Sequence, residues 1–426
     1  MKRKALLPAA LLASALFFSC GGKTSALLWT DRPEFALYAQ IYNSSQSRYK
    51  IDVKYVAFPA ERLMETEEVP DMVAGAFLNS IHAMALFQDL SFLFGKGSID
   101  KDSFYDELLR LGAVQNKQYL LPVSFNIPAI LFKNDGNTIP SHYVIGDVDE
   151  LRTLGAEYNE NKNGDWMRKG FSPLWGRGRG GEFLFMAARL FGMDLEEVLN
   201  NNSKKEIMLA WDDEKLEEFV RYIKEWIELN GGTQAEDDFI YKYFFNLPPK
   251  LLADGRIRFA YAKSNDYFLL PQDANAELDF RWLTRGHDLP LTEDTALFGI
   301  HKKSAARNVA ADFARWFFDD ETHNLLLQES RDNHLHETSF GIAGGLSAMR
   351  TVTEFVFPKY YLKLLGHVPP AEYLSAPAPL PSSWADIKEY VVVPYMLDAI
   401  RGAPAENRSL KERLTEWRTL KRDAFR

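Results

Sequence analysis

The chain has 426 residues, of which 46% are hydrophobic and 26% are charged, and its formal net charge is −9 at pH 7. This length and composition suffice for a large buried core and indicate two lobes or two domains. An acidic chain without a basic stripe argues against nucleic acid as a partner.

The first 25 residues have the features of a bacterial export signal with a lipid-attachment site. The basic segment Lys2–Lys4 precedes the hydrophobic segment Ala5–Phe18, which is too short to remain in a bilayer as a spanning anchor. Cys20 is the only cysteine, and it follows this hydrophobic segment almost directly, as the lipid-bearing cysteine of a lipoprotein does. We therefore predict a lipoprotein signal peptide at 1–19, lipid on Cys20 and a tether at 20–25. Two phenylalanines occupy positions where such a motif has smaller or aliphatic residues, and an ordinary secretory signal is the alternative.

Residues 26–74 predict strands that alternate with helices. The strand Ala26–Trp29 precedes a helix with Pro33 in its first turn, and the strand Tyr49–Ala57 precedes a helix at Pro59–Glu65. A third strand is predicted at Val69–Ala74. This order indicates a parallel sheet covered by helices, in which ligands bind beyond the carboxyl ends of the strands.

Those strand ends supply the first candidate ligand-binding residues, which are Trp29, Asp31, Arg32, Phe77 and Asn79. Aromatic faces suit the C–H surface of a sugar ring, and planar polar groups suit its hydroxyls. Packing in the core is the alternative for the aromatic residues.

An apolar run at 118–134 contains two prolines and two polar side chains. Pro122 and Pro128 exclude a helix, so we predict extended chain. We expect the run to pass between two lobes with Ser124 and Asn126 inside it, and Asn126 is a candidate ligand contact. A buried strand with satisfied polar groups is the alternative.

Apolar periodicity and turn residues predict further elements in the rest of the chain. Helices are predicted at 182–191, 211–229 and 305–318, and strands at 257–262 and 295–300.

Several of these segments, taken in order, resemble the extracellular solute-binding proteins, family 1, which includes the maltose-binding protein. The resemblance depends on Leu121-Pro122 with the run to Asn134, on Val69–Met72, and on Thr295–Ile300 with the helix after it. It covers nearly the whole chain after the signal, as loose patterns in the family's order. The segments 263–267 and 338–347 depart from the family's pattern.

The resemblance implies a two-lobed α/β fold like that of periplasmic binding proteins. Each lobe is expected to be a mainly parallel sheet flanked by helices, and the chain is expected to cross the hinge several times. The implied division is 26–133 and 295–337 for lobe 1, and 134–294 and 338–426 for lobe 2.

Further candidate ligand-binding residues come from loops and strand ends of the second lobe. Trp175 and Trp384 lie beside Gly or Pro, and Asn265 lies where the resemblance places a cleft loop. Arg177 belongs to the glycine-rich segment Gly176–Gly181 before a helix, which could bind a phosphate or carboxylate. A solvated surface loop is the alternative.

The resemblance also implies a function and partners. The protein is expected to be exported, lipid-anchored at the periplasmic face or cell surface, and monomeric. It would capture a small hydrophilic ligand, expected to be a carbohydrate, and deliver it to the permease subunits of an ABC importer. A lipoprotein of the same fold that serves adhesion or structure, and a carbohydrate-active hydrolase, are the alternatives. Sugar phosphates, peptides and polyamines stay open as ligands.

The sequence carries no catalytic motif, so we predict neither an enzyme nor a cofactor. Gly-x-Ser-x-Gly, His-Glu-x-x-His and the kinase motifs are absent. His323, His334, His336 and Glu337 could ligate zinc, but loop histidines without a metal are the expected state.

Overall fold

The computed structural model describes residues 23–95, 97–136, 138–175, 181–200, 203–402 and 408–424. Cys20, the predicted signal peptide and Arg177 lie outside the described residues. Two helix-covered β-sheets form two lobes, so the predicted two-lobed α/β fold is confirmed. Within the described ranges, no helix combines the length and apolarity needed to cross a membrane.

The first sheet has six strands drawn from distant parts of the chain. In spatial order they are Leu346–Ser347, Leu121–Phe125, Ala296–Ile300, Met72–Gly75, Thr24–Thr30 and Tyr49–Tyr55. The last three are parallel, as predicted, with Thr30 opposite both Tyr55 and Ala74. The strand Ala296–Ile300 is antiparallel to both of its neighbours, so the sheet is mixed.

The second sheet has four strands and is mostly antiparallel, whereas a mainly parallel sheet was expected. Their order is Phe259–Lys263, Pro128–Lys133, Leu278–Thr284 and Ile145–Asp147. Only the last pair is parallel. The reason is that Pro128–Lys133 runs away from the first lobe, while Phe259–Lys263 and Leu278–Thr284 return toward it.

Helices cover both sheets, and short ladders complete the two lobes. The α-helices are Phe35–Ser45, Pro59–Glu65, Ile81–Met84, Asp106–Arg110, Val148–Tyr158, Glu182–Leu190, Asp213–Leu229, Gly232–Lys242, Pro248–Ala253, Ser264–Phe268, Gln272–Glu277, Arg307–Phe317, Asp320–Asp332, Arg350–Phe355, Phe357–Tyr360, Trp384–Ile387, Val393–Arg401 and Leu410–Ala424. The short ladders pair Ala113–Val114 with Lys117–Gln118, Glu160–Lys162 with Asp165–Arg168, Glu196–Asn200 with Ser203–Ala210, and Leu289–Pro290 with Leu374–Ser375.

The apolar run with two prolines is extended, as predicted, but it divides between the sheets. Its strand Leu121–Phe125 belongs to the first sheet and its strand Pro128–Lys133 to the second. The chain therefore crosses between lobes at Asn126 and Ile127, and the predicted boundary after residue 133 is too late by one strand. The sequence does not mark this break, because both strands are equally apolar.

The final passage of the chain from the first lobe to the second lies later than the predicted boundary at residue 338. Leu346–Ser347 still pairs in the first sheet, so the chain has not left that lobe at residue 338. It reaches the second sheet farther on, where the Lys363 ammonium donates to the Leu278 carbonyl and the Trp282 indole donates to the His367 carbonyl.

Helix burial follows the predicted periodicity. In Asp213–Leu229 the buried face includes Leu216, Phe219, Ile223 and Trp226. The carboxylate of Asp212 caps this helix by accepting from two backbone N–H groups of its first turn, which removes two unsatisfied donors.

His323 lies in the core of the first lobe rather than in a metal site. Its ring packs edge-on against Phe317 at 5.0 Å, and its Nδ1 lies 3.0 Å from the Ser347 hydroxyl. The described residues contain no group of three His, Cys, Asp or Glu side chains placed to hold a metal ion. The zinc alternative therefore gains no support from the residues that the structure describes.

Burial of His323 predicts a loss of stability in mild acid. Burial lowers the pKa of its imidazole to about 3 from an ordinary value of 6.5. Between these values the unfolded chain binds a proton that the folded chain excludes, so stability falls as the pH drops below 6.5, by about 1.4 kcal/mol per unit. Urea unfolding at pH 7, 6 and 5 should show a shallower pH dependence for His323→Gln than for the parent. An equal slope in His323→Gln and the parent would contradict this assignment.

Candidate functional site

The ends of the parallel strands bring together four predicted site residues. Asp31 and Arg32 follow the first strand, and the Asp31 carboxylate lies 3.3 Å from the Arg32 guanidinium and accepts a hydrogen bond from the Ala76 N–H. Phe77 and Asn79 follow Met72–Gly75 in the neighbouring loop. The parallel pairing explains this proximity, because it places both strand ends at one edge of the sheet.

Arg32 also contacts the segment 285–295, which connects the strand Leu278–Thr284 of the second sheet to the strand Ala296–Ile300 of the first sheet. Its guanidinium donates to the Asp294 carbonyl at 2.8 Å, and the Thr292 hydroxyl donates to the Asp294 carboxylate at 2.6 Å. Asp31 is largely buried, and burial raises the pKa of its carboxyl although Arg32 opposes the change. Asp31 and Arg32 thus join the end of the first strand to the hinge.

Ionic groups of the second lobe surround this junction. The Lys388 ammonium bonds to the Glu293 carboxylate and lies 3.1 Å from that of Glu182. Burial works against the charge of Lys388, yet these two carboxylates hold its pKa above the ordinary value. Burial likewise works against the charges of Asp294 and Lys263, but neighbouring opposite charges lower the pKa of Asp294 and raise that of Lys263. Lys388, Asp294 and Lys263 therefore stay ionised at neutral pH.

Asn126 lies at the crossing and its amide holds three segments together. It donates to the Gly344 carbonyl at 3.0 Å and accepts from the Ser264 hydroxyl at 2.7 Å. The Ser264 hydroxyl in turn accepts from the Ile127 N–H. These contacts make Asn126 part of the hinge rather than a free group that faces a ligand, in agreement with the alternative of a satisfied buried strand.

A cavity of about 560 Å³ lies beside the edge strand of the second sheet. Its volume is within the range of small-molecule sites, about 300–1,000 Å³. Trp175, Tyr261 and Phe183 supply aromatic surface, while Glu182, Lys263 and Asp266 supply charged groups. The Tyr261 hydroxyl is buried and has no hydrogen-bond partner among the described residues. An unpaired buried hydroxyl costs free energy that a ligand's polar group would recover.

Trp175 is held against this cavity by a buried ion pair that sequence analysis missed. The backbone N–H of Trp175 donates to the Ser172 carbonyl, and the Ser172 hydroxyl donates to the Glu236 carboxylate. Glu236 pairs with the Lys169 ammonium at 2.8 Å, and both side chains are fully buried. The Trp175 ring remains half-buried, with Phe239 at 6.1 Å behind it.

Two predicted tryptophan contacts are wrong. Trp29 is fully buried in the first core, because residue 29 lies inside the strand Thr24–Thr30 rather than beyond its end. Trp384 is also fully buried and packs against Phe185 at 5.4 Å, because it begins a helix that covers the second core.

The other predicted residues are placed near the junction. The Phe77 ring packs against the hydrophobic cores of both lobes, and its backbone has a φ of 58°, which is costly for a bulky residue. Asn79 borders a second cavity of about 590 Å³, which is mostly apolar. Asn265 is half-buried, and its side chain accepts from the Asp266 N–H.

Polar contacts link the two lobes outside the hinge. The Glu197 carboxylate, from the second lobe, accepts from the Ile81 N–H of the first lobe at 2.6 Å. The Lys421 ammonium, in the last helix, bonds to Glu61 of the first lobe and to Asp386 of the second. These contacts hold the lobes together in this conformation.

Solved structures with this fold include several sugar-binding proteins. The sugar-binding protein MalE of Xanthomonas citri aligns with a TM-score of 0.66 at 11% identity, over 93% of this chain and 96% of its own. The cyclic α-maltosyl-1,6-maltose binding protein of Arthrobacter globiformis aligns with a TM-score of 0.60 at 16% identity, over 92% of this chain and 97% of its own. Thiaminase I of Bacillus thiaminolyticus aligns with a TM-score of 0.55 at 14% identity, over 88% of this chain and 99% of its own.

No protein-family model matches the sequence, and no curated protein matches it either. The structural likeness shows that this chain has the two-lobed fold of these proteins. Because the fold also supports an enzyme, the function has to be argued from the site.

Proposed function

We propose that this chain is the solute-binding protein of an ABC importer and captures a carbohydrate between its lobes. The observation that carries the proposal is the cavity on the second lobe, which is lined by the half-buried Trp175 ring, by the ionic groups of Glu182 and Lys263, and by Tyr261. The buried Tyr261 hydroxyl has no hydrogen-bond partner among the described residues. An aromatic face beside hydrogen-bonding groups suits a sugar ring, which has an apolar C–H surface and polar edges.

The ligand would be transferred unchanged to the permease subunits of the importer. In this proposal the protein makes and breaks no bond, acts as a monomer, and is exported and lipid-anchored through Cys20. Ligand binding favours the conformation in which both lobes contact the ligand, because only that conformation gains the additional contacts. The sugar-binding structures of the same fold support this function over catalysis, adhesion or a structural role.

A thermal-shift screen of the purified protein tests the proposal. The ligands are neutral mono- and oligosaccharides, sugar phosphates, amino acids and polyamines. A ligand at 100 times its Kd adds about 2.7 kcal/mol of stability, and we expect the shift with neutral sugars. Small-angle scattering should then show compaction on binding. A stable protein that responds to no sugar, or one that hydrolyses the sugar, would refute the proposal in favour of a structural role or of an enzyme.

A further inference from the structure

The second lobe exposes an aromatic segment directly after the helix Gly232–Lys242. Tyr241 is 85% exposed, Phe244 is 58% exposed and Phe245 is 90% exposed. The two phenylalanine rings pack edge to face at 5.3 Å, so they form one apolar surface. We call Tyr241, Phe244, Phe245 and Leu247 the aromatic rim.

The aromatic rim continues the wall of the Trp175 cavity. Leu247 belongs to both, and Pro248 and Pro249 line the cavity next to it. Behind the rim, aromatic contacts run from Trp175 to Phe239 at 6.1 Å and from Phe239 to Tyr243 at 4.9 Å. The aromatic rim and the cavity wall are therefore continuous at Leu247.

Two lysines beside the rim are paired with carboxylates of the protein. The Lys242 ammonium lies 2.7 Å from the Asp165 carboxylate, and that of Lys250 lies 3.0 Å from that of Asp254. These lysines are thus already neutralised, which disfavours an anionic membrane surface and favours a neutral partner with apolar faces. Sugar rings have such faces, and aromatic side chains at the surface supply the matching surface.

We propose that the aromatic rim is an outer subsite for an oligosaccharide whose inner units occupy the Trp175 cavity. This inference rests on the proposed function and adds that the preferred ligand is a neutral chain longer than the cavity. The inner units would contact Trp175 and Tyr261, and the outer units would lie against Phe244 and Phe245.

Calorimetric titration with two oligosaccharide series tests the subsite, namely malto- and manno-oligosaccharides of two to six units. We expect the affinity to rise about tenfold or more between the disaccharide and the longest member that fits. The double variant Phe244→Ser/Phe245→Ser should lose this increase and keep the affinity for the disaccharide. The control is Phe355→Ser, which removes a 68% exposed ring from the first lobe. It should leave unchanged both the affinity for the disaccharide and the increase of affinity with chain length.

The outcomes separate this inference from the proposed function. If short and long chains bind equally well, or if the double variant keeps the length dependence, the outer subsite is refuted while carbohydrate capture stands. If the parent binds no member of either series, capture of these sugars is refuted and the subsite with it. If the double variant loses binding to phosphatidylcholine–phosphatidylglycerol vesicles but keeps the length dependence, the rim contacts membrane instead.

Discussion

Replacing Lys169 by methionine is expected to lower the free energy of unfolding by about 3–5 kcal/mol. The Lys169 ammonium and the Glu236 carboxylate are fully buried 2.8 Å apart, and Lys169 also donates to the Asn230 carbonyl. Without the ammonium, the Glu236 carboxylate is left buried, and among the described residues the Ser172 hydroxyl is its remaining hydrogen-bond donor. Urea unfolding followed by circular dichroism measures the loss.

A double variant distinguishes the lost charge from lost packing. Lys169→Met/Glu236→Gln removes both charges and keeps a hydrogen-bonding group for Ser172, so it should be more stable than Lys169→Met alone. The matched surface control is Lys250→Met, which breaks an exposed pair with Asp254 and should cost less than about 1 kcal/mol. A loss in Lys169→Met as small as in this control would contradict the assigned role of the buried pair.

Replacing Trp175 by alanine is expected to weaken binding of the carbohydrate found in the thermal-shift screen by about 30-fold, or about 2 kcal/mol. The Trp175 ring lies at the cavity and remains half-buried, so its loss removes surface that a sugar ring would cover. Trp175→Phe keeps an aromatic face and should lose less. Titration calorimetry on each folded variant gives the Kd values.

A half-buried tryptophan of the first lobe provides the control for this prediction. Trp316 packs against Tyr42 at 5.2 Å on the helix Arg307–Phe317, far from the cavity in the fold. Trp316→Ala should reduce stability and leave the Kd unchanged. If Trp175→Ala binds the sugar as tightly as the parent, the ligand lies elsewhere in the protein.

Individual helices and strands were largely predictable, because the residue patterns that indicate them lie within the segments themselves. The helix Pro59–Glu65 has the predicted bounds, and Asp213–Leu229 buries the apolar face that its periodicity indicates. The parallel strands 24–30, 49–55 and 72–75 follow the predicted order, which also placed Asp31 and Arg32 at the strand ends. These features depend on residues within a few positions of one another.

Predictions that required the position of a side chain in three dimensions were less successful. Trp29 and Trp384 were expected to contact ligand because each adjoins a loop or a proline, yet both are fully buried. The crossing between the lobes at Asn126 was missed because the strands on both sides of it are equally apolar. Tyr261 was missed because nothing in the sequence of the strand Phe259–Lys263 marks its hydroxyl as buried without a hydrogen-bond partner among the described residues.

By itself, the sequence determined many of the local helices and strands and the strand ends at which polar residues cluster, while the two-lobed fold was implied by the resemblance to the family 1 solute-binding proteins. Hydrophobic periodicity, prolines and caps act over a few residues, so one chain suffices to read them. Only the tertiary structure decided that Arg32 meets Asp294, 262 positions away, and that Lys169 meets Glu236, 67 positions away. Such pairs form because the packing of whole lobes brings them together and excludes water, and no local pattern encodes that choice.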